Sequence, residues 1–318
     1  MPLRHTAPMP DHAQPNASLP SPTHRSHRPG ARRRWSGLAA LLLVWSAWAA
    51  PPQAVQVPSL DAPLGQPVML PGRWFAGPVE GEPRAAVVLL HGCGGPYGRA
   101  GPAGPLSRHL QDYAELLQGL GLQVLVTDSL TPRGERELCT QRMAQRRVTQ
   151  EHRRLDALGA LRWLAAQPGV DAQRLGLIGW SHGGSAVLAA TNLRHPAVAA
   201  ATVRPTFAVA FYPGCSADLA RGYQGTAPLL LLLGAADDWT PAAPCQALAE
   251  SAGAPQPEVA MFDGAYHAFD SQSPLRLRRD VPNGVNPGQG VHAGAHPAAR
   301  EAARVRLREF LAGLGVVR

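Results

Sequence analysis

From residue 85 onward the chain alternates short, wholly apolar runs with longer amphipathic ones. The short runs are Ala85–Leu90, Gln123–Thr127, Leu175–Ile178, Phe207–Phe211, Leu229–Leu233 and Val259–Phe262, each bounded by turn-forming residues. A strand with one wet face alternates polar and apolar residues, whereas one covered by helices on both faces is apolar throughout. These six read as the covered kind. Between and after them the pattern predicts helices over Leu106–Gln118, Val148–Ala166, Gly183–Leu193, Pro241–Ala252 and Pro297–Leu314. In the second, Leu155, Leu158, Leu161 and Leu164, with Trp163, form a stripe near the helical period. Strand and helix repeated in this way predict an α/β protein with a mostly parallel central sheet and helices on both faces. No repeat and no linker divides residues 60–318, which read as a single domain. Two stretches, 128–146 and the Gly/Pro/Asn-rich 271–295, read as loops on the carboxyl side of the sheet, where open α/β sheets bind ligands.

The amino terminus does not share this pattern. Residues 1–30 are rich in Pro and His and lack an apolar period, so they read as disordered or as translated from a start assigned too far upstream. Residues 31–49 read as a signal peptide. Arg32-Arg33-Arg34 precedes the apolar run Gly37–Val44, and Ala47-Trp48-Ala49 places small residues around a bulky one, as cleavage after Ala49 requires. The apolar run is too short for a permanent membrane span. The expected destination is the periplasm or the exterior, by the general or the twin-arginine route.

That reading changes the meaning of the charge. The chain has 30 basic residues, all arginine, against 22 acids. Six of the arginines and one acid precede residue 50, which leaves 24 against 21, a net +3. Nucleic acid is therefore not an expected partner, since no basic stripe interleaved with aromatics remains. Export also changes the meaning of the cysteines, because an oxidising compartment favours disulfides. Cys93, Cys139, Cys215 and Cys245 contain no C-x-x-C pair, so zinc is not expected. Of the three connectivities open to four cysteines, the preferred one joins Cys93 to Cys139 and Cys215 to Cys245, on loops that follow neighbouring strands.

Candidate chemistry centres on Gly179-Trp180-Ser181-His182-Gly183. A serine hydroxyl is a weak nucleophile unless a base takes its proton, and it must project from the backbone to meet substrate. The G-x-S-x-G turn meets the second need by reversing sharply from strand to helix, and here it lies between a predicted strand and a predicted helix. An acid and then a histidine should follow. Asp237 or Asp238 sits just past Leu229–Leu233, the other being solvated or capping the next helix at Thr240-Pro241, and His267 follows the last predicted strand. The oxyanion formed during acyl transfer needs backbone donors. The His182 N–H, at a helix amino terminus, is one candidate; the Cys93 N–H in His91-Gly92-Cys93-Gly94-Gly95 is the other. A Cys93–Cys139 bridge would stiffen that loop. The His91 and His182 imidazoles read as groups that hydrogen-bond loops in place, with no metal or cofactor expected.

With the His91–Gly95 loop, the elbow from Gly179 to Gly184, Gly234-x-x-Asp237-x-x-x-Pro241 and the loop of His267, the chain resembles the dienelactone hydrolase family over about residues 65–316. Tyr212-Pro213-Gly214-Cys215 and Asp237-Asp238-Trp239-Thr240-Pro241 are similar to its exported branch. The resemblance implies an α/β-hydrolase fold and a triad of Ser181, Asp237 and His267, with the acid four residues before the proline. One departure is plain: the name-giving enzymes carry a cysteine nucleophile, and this elbow carries Ser181. The expected activity is therefore cleavage of a small-molecule carboxylic ester or lactone through an acyl-enzyme on Ser181. Alternatives on the same fold are a peptidase or a polymer-ester depolymerase, the latter because polyester-degrading relatives also place Trp before the nucleophile. From another class, the alternative is a noncatalytic ligand-binding protein on a hydrolase scaffold.

Overall fold

The computed structural model describes residues 51–77 and 81–317. The readings of residues 1–30 and of the signal peptide at 31–49 lie outside the described residues. Among those described, eight strands form one sheet: β1 (Gln53–Pro58), β2 (Met69–Phe75), β3 (Arg84–Leu90), β4 (Gln123–Thr127), β5 (Val170–Trp180), β6 (Phe207–Phe211), β7 (Leu229–Gly234) and β8 (Glu258–Phe262). Their spatial order is β1-β2-β4-β3-β5-β6-β7-β8. The strands from β3 to β8 pair in parallel, while β2 runs antiparallel to β4 and β1 antiparallel to β2.

All six apolar runs are strands. The antiparallel edge is absent from the expectation, and the physical reason is visible in its composition. β1 and β2 carry Gln53, Gln56, Pro71 and Arg73 and are partly exposed, so neither has the apolar run of a covered strand. β1 also precedes residue 60, where the sequence pattern begins the domain. At the opposite edge, β8 departs from the two-face burial expected of Val259–Phe262: Val259 is 40% exposed. An edge strand keeps one flank open even when its residues are apolar.

The helices are α1 (Arg108–Gly119), α2 (Gln150–Ala165), α3 (His182–Thr191), α4 (Pro196–Ala199), α5 (Ser216–Arg221), α6 (Ala243–Ser251) and α7 (Pro297–Gly313). Pro244 sits in the first turn of α6, so the helix opens later than the Pro241 expected. Within the 271–295 stretch, β9 (Arg276–Arg278) and β10 (Val291–Ala293) form a small antiparallel pair.

The sheet separates two apolar layers, and the strands alternate between them. Val87, Leu89, Leu230 and Leu232 face a layer completed by α1 and α7. Ala86, Val88, Leu229 and Leu231 face one completed by α2, α3 and α6. Alternate residues point to opposite faces, so a run such as Leu229–Leu233 serves both layers only by being apolar at every position.

The chain leaves β3 towards β4 on one side and returns as β5 on the other. In open sheets this topological switch forms a crevice beyond the strand carboxyl ends. Leu90 and Gly179 are register partners across it, so the loop that begins at His91 and the turn that carries Ser181 emerge side by side.

Candidate active site

Ser181 stands between β5 and α3 with φ 54° and ψ −118°, a left-handed conformation in which a side chain is strained. The Ser181 N–H donates to the Phe211 carbonyl at 2.9 Å, which ties the turn to β6. Small residues around it are obligatory. A Cβ on Gly179 would lie 2.2 Å from the Gly183 carbonyl oxygen, and one on Gly183 would lie 1.9 Å from that of Leu90. Both clashes are with backbone that cannot rotate away.

The structure brings Ser181, Asp237 and His267 together. The distance from Ser181 Oγ to His267 Nε2 is 2.9 Å, and from His267 Nδ1 to Asp237 Oδ2 2.8 Å. All three residues are buried or nearly so. Asp237 lies three residues beyond the end of β7, and its Oδ1 accepts the N–H groups of Trp239 and Thr240, both at 2.9 Å. The turn after β7 is thus wrapped around one carboxylate oxygen, and the other oxygen is left for the imidazole. Asp238 does something else. It accepts the His292 backbone N–H at 2.8 Å and faces His292 Nδ1 at 2.7 Å, so it fastens β10 beside the site; it neither stands free nor caps a helix.

Of the candidate oxyanion donors, Cys93 lines the cleft and His182 directly follows Ser181. His182 opens α3, where the first N–H groups have no partner within the helix and the helix dipole is positive. The loop of Cys93 packs on the elbow: a Cβ on Gly92 would stand 3.6 Å from Ser181 Cβ. Cys93 and Cys139 are disulfide-bonded, as are Cys215 and Cys245, which is the preferred pairing. The Cys93 carbonyl also accepts the Leu138 N–H at 2.8 Å, so covalent and hydrogen bonds both join this loop to the 128–146 segment.

His91 and His182 meet over Arg153 of α2, a fully buried guanidinium. Arg153 donates to His182 Nδ1 at 3.1 Å and to the His91 carbonyl at 2.8 Å. Arginine has no acceptor, so Nδ1 of His182 must be the unprotonated nitrogen. His91 accepts the Ser129 N–H on Nε2, which leaves its Nδ1–H to donate to the Gly92 carbonyl at 2.7 Å. Burial, and then the positive charge of Arg153, push both imidazoles well below the usual histidine pKa. They are neutral ties between loops. Burial likewise pulls Arg153 down to about 10.

A cleft of about 270 Å³ opens above Ser181 and His267. Tyr212, Trp239, His109 and the disulfide line it, with Arg276 and Arg278 of β9 on the far wall. The rings of Tyr212 and Trp239 lie 4.7 and 4.6 Å from that of His267, and the Arg278 guanidinium lies 5.7 Å over Trp239. A larger hollow of about 600 Å³, among Arg84, Leu120, Arg174 and Val316, sits at the amino end of β3 and assembles no nucleophile with a base. The chemistry and the strand carboxyl ends both point to the smaller cleft.

Several neighbours of the triad were not singled out from the sequence. The Thr240 hydroxyl lies 3.0 Å from the Tyr212 carbonyl, 3.1 Å from Asp237 Oδ2 and 3.0 Å from His267 Nδ1. Its position three residues after Asp237, inside the turn marked by Gly234-x-x-Asp237, is the available signal. Trp180 borders the cleft, with its ring buried against Tyr113 and Phe211, and donates its indole N–H to Asp270 at 2.9 Å.

Residues 75–314 match the dienelactone hydrolase family. Comparison with curated proteins gives no significant match. Among solved structures, the dienelactone hydrolase-like promiscuous phosphotriesterase P91 from metagenomic libraries is 19% identical, covering 83% of this chain and 99% of its own, with a TM-score of 0.58. Esterase 2 of Thermogutta terrifontis in its apo form is 17% identical, covering 87% and 99% with a TM-score of 0.56. The same esterase phosphorylated by paraoxon is 17% identical, covering 85% and 96%, with a TM-score of 0.56. At these identities the neighbours establish the α/β-hydrolase fold. The family match spans most of the chain, and the protein belongs to the dienelactone hydrolase family of hydrolases.

Proposed function

We propose that the protein is an exported serine esterase in which Ser181 is the nucleophile, His267 the base and Asp237 the group that orients it. His267 Nε2 takes the Ser181 proton as Oγ attacks the ester carbonyl. The imidazolium that forms is stabilised by Asp237 and returns its proton to the departing alcohol. Oxygen charge developing on the carbonyl is met by the N–H groups of His182 and Cys93, fixed before reaction and so costing no reorganisation. Water then enters and attacks the acyl carbonyl as His267 takes its proton; the bond to Ser181 Oγ breaks, His267 returns the proton to Oγ, and the acid is released. The carrying observation is the chain of contacts from Ser181 Oγ through His267 to Asp237, at 2.9 and 2.8 Å, at the floor of an open cleft.

The cleft lies just under the ~300–1,000 Å³ of ordinary ligand pockets, which favours short acyl or alcohol groups. Two disulfides together with the reading of residues 31–49 support an oxidising destination, the periplasm or the exterior. Among the described residues no helix is long and apolar enough to cross a membrane. The test is turnover of p-nitrophenyl esters of graded acyl length. Acetate and butyrate esters should be cleaved by the wild type and not by Ser181→Ala; turnover that persists in the variant would sink the assignment.

A further inference from the structure

Asp270, three residues past His267, has a carboxylate with no exposed side-chain surface. An ionised carboxylate taken out of water is costly unless donors surround it. Its Oδ2 accepts from Trp180 Nε1 and His109 Nε2, both at 2.9 Å, and its Oδ1 accepts from the Tyr212 hydroxyl at 2.7 Å. Burial raises the Asp270 pKa, but the His109 charge and the hydrogen bonds from His109 and Tyr212 outweigh it, and the net shift is downward. The group is an anion at neutral pH.

The placement of those donors is what matters. Trp180 directly precedes Ser181 in the chain. Tyr212 lays its ring on His267, and its carbonyl holds the Thr240 hydroxyl that also reaches Asp237 and His267. His109, on α1, lines the cleft and is 24% exposed. Between His267 and Asp270 the backbone passes through Ala268 at φ 58°, a left-handed conformation that strains an alanine and needs outside support. A polar anchor that served only the fold could sit anywhere in the core. This one joins the elbow, the end of β6 and the loop of the base at one point.

We propose that Asp270 is a positioning residue for the reaction: it clamps Trp180, Tyr212 and the His267 loop together, so that His267 Nε2 stays within reach of Ser181 Oγ. The role rests on the serine-esterase reading above. It predicts that hydrogen bonding at position 270 matters more than charge. Asparagine fits the site, its oxygen taking the Oδ2 place between Trp180 and His109 and its NH2 donating to the Tyr212 oxygen after the hydroxyl rotates. Alanine replaces none of these bonds.

The experiment measures kcat and KM on p-nitrophenyl acetate, the second-order rate of fluorophosphonate inactivation, and thermal unfolding for wild type, Asp270→Asn and Asp270→Ala. A misplacement of reacting atoms by ~1 Å costs about a hundredfold in rate. Asp270→Ala should therefore lose about that factor in kcat and in inactivation rate, with KM within about threefold. Asp270→Asn should recover activity to within about tenfold of wild type. A folded Asp270→Ala within about threefold of wild type in kcat, a loss confined to KM, or an asparagine variant as slow as the alanine one overturns the role. If Asp270→Ala does not fold, Trp180→Phe and Tyr212→Phe each remove one donor; each should slow inactivation about fivefold or more, and wild-type rates in both overturn the role. A wild type that neither turns over ester nor reacts with the probe defeats the esterase reading, and the positioning role with it. A reactive wild type with unaffected variants defeats the positioning role alone.

Discussion

Asp237→Asn should act as a tautomer trap, and the geometry says why. Asp237 Oδ1 accepts two backbone N–H groups, from Trp239 and Thr240, both at 2.9 Å. An asparagine must keep its oxygen there, because the inverted amide would set an NH2 against two N–H donors, each left unsatisfied at about 1–3 kcal/mol. The NH2 is therefore forced into the Oδ2 place, 2.8 Å from His267 Nδ1. A donor facing Nδ1 makes that nitrogen the acceptor and moves the ring proton to Nε2, which points at Ser181 Oγ. The lone pair that should take the serine proton is then gone. The same wrong tautomer in a Ser-His-Asp triad lowers kcat by about 10⁴, or about 5.4 kcal/mol at ~1.36 kcal/mol per decade. Asp238→Asn provides the contrast, since the Asp238 carboxylate bonds to His292 and not to the triad, and the change should alter kcat by no more than about threefold. The assay is kcat on p-nitrophenyl acetate at pH 8, with thermal unfolding as the control for folding. An Asp237→Asn enzyme within about tenfold of wild type rules out the tautomer trap. So does an Asp238→Asn enzyme that is the more damaged of the two.

Further outcomes follow from the packing and the charges. Gly183→Ala, whose Cβ would stand 1.9 Å from the Leu90 carbonyl oxygen, should abolish the folded state or cost more than about 3 kcal/mol in chemical denaturation. Replacing Cys93 and Cys139 by serine opens a loop of 46 residues, so stability should fall by about 2–4 kcal/mol and kcat should fall with it while KM holds, as the Cys93 loop loosens beside Ser181. His91 and His182 are held neutral in the fold, and their unfolded forms take up protons below about pH 6.5. Their stability is therefore fully present above that pH and is lost as pH falls towards their lower folded pKa values, with a slope approaching about 2.7 kcal/mol per pH unit for the pair. Urea unfolding between pH 7 and pH 5 checks the sign; a stability that rises on acidification contradicts the burial of two neutral imidazoles.

The parts of the fold legible in the sequence are those where one physical demand dominates. Leu229–Leu233, like Phe207–Phe211, must be apolar at every position because it feeds two cores. The elbow is legible because its glycines answer backbone clashes that no side chain survives. β1 and β2 were not legible: an edge ladder is held by backbone pairing, which leaves little trace in the choice of Gln53, Pro71 or Arg73. The site divides in the same way. Ser181, His267 and the disulfide pairing follow from order along the chain and from strand ends, whereas Asp237 in preference to Asp238 follows only from the family spacing to Pro241. Asp270 and Arg153 do not, because a buried charge is recognisable only once its partners, 90 residues away in the case of Trp180 and 62 in the case of the His91 carbonyl, are seen beside it. Asp238 shows a subtler limit: adjacent carboxylates have identical local chemistry, and only the direction of the turn separates the imidazole's partner from the anchor of β10.

The central claim, that Ser181 is an activated nucleophile, is tested most directly by mass spectrometry of the protein treated with a fluorophosphonate probe. One adduct per chain is expected on the peptide that holds Ser181, absent from Ser181→Ala, formed far more slowly in His267→Ala, and blocked by prior incubation with a slowly hydrolysed ester. No adduct on the wild type, or an adduct on another residue that persists in Ser181→Ala, would contradict it and return the protein to the reading of a ligand-binding hydrolase scaffold.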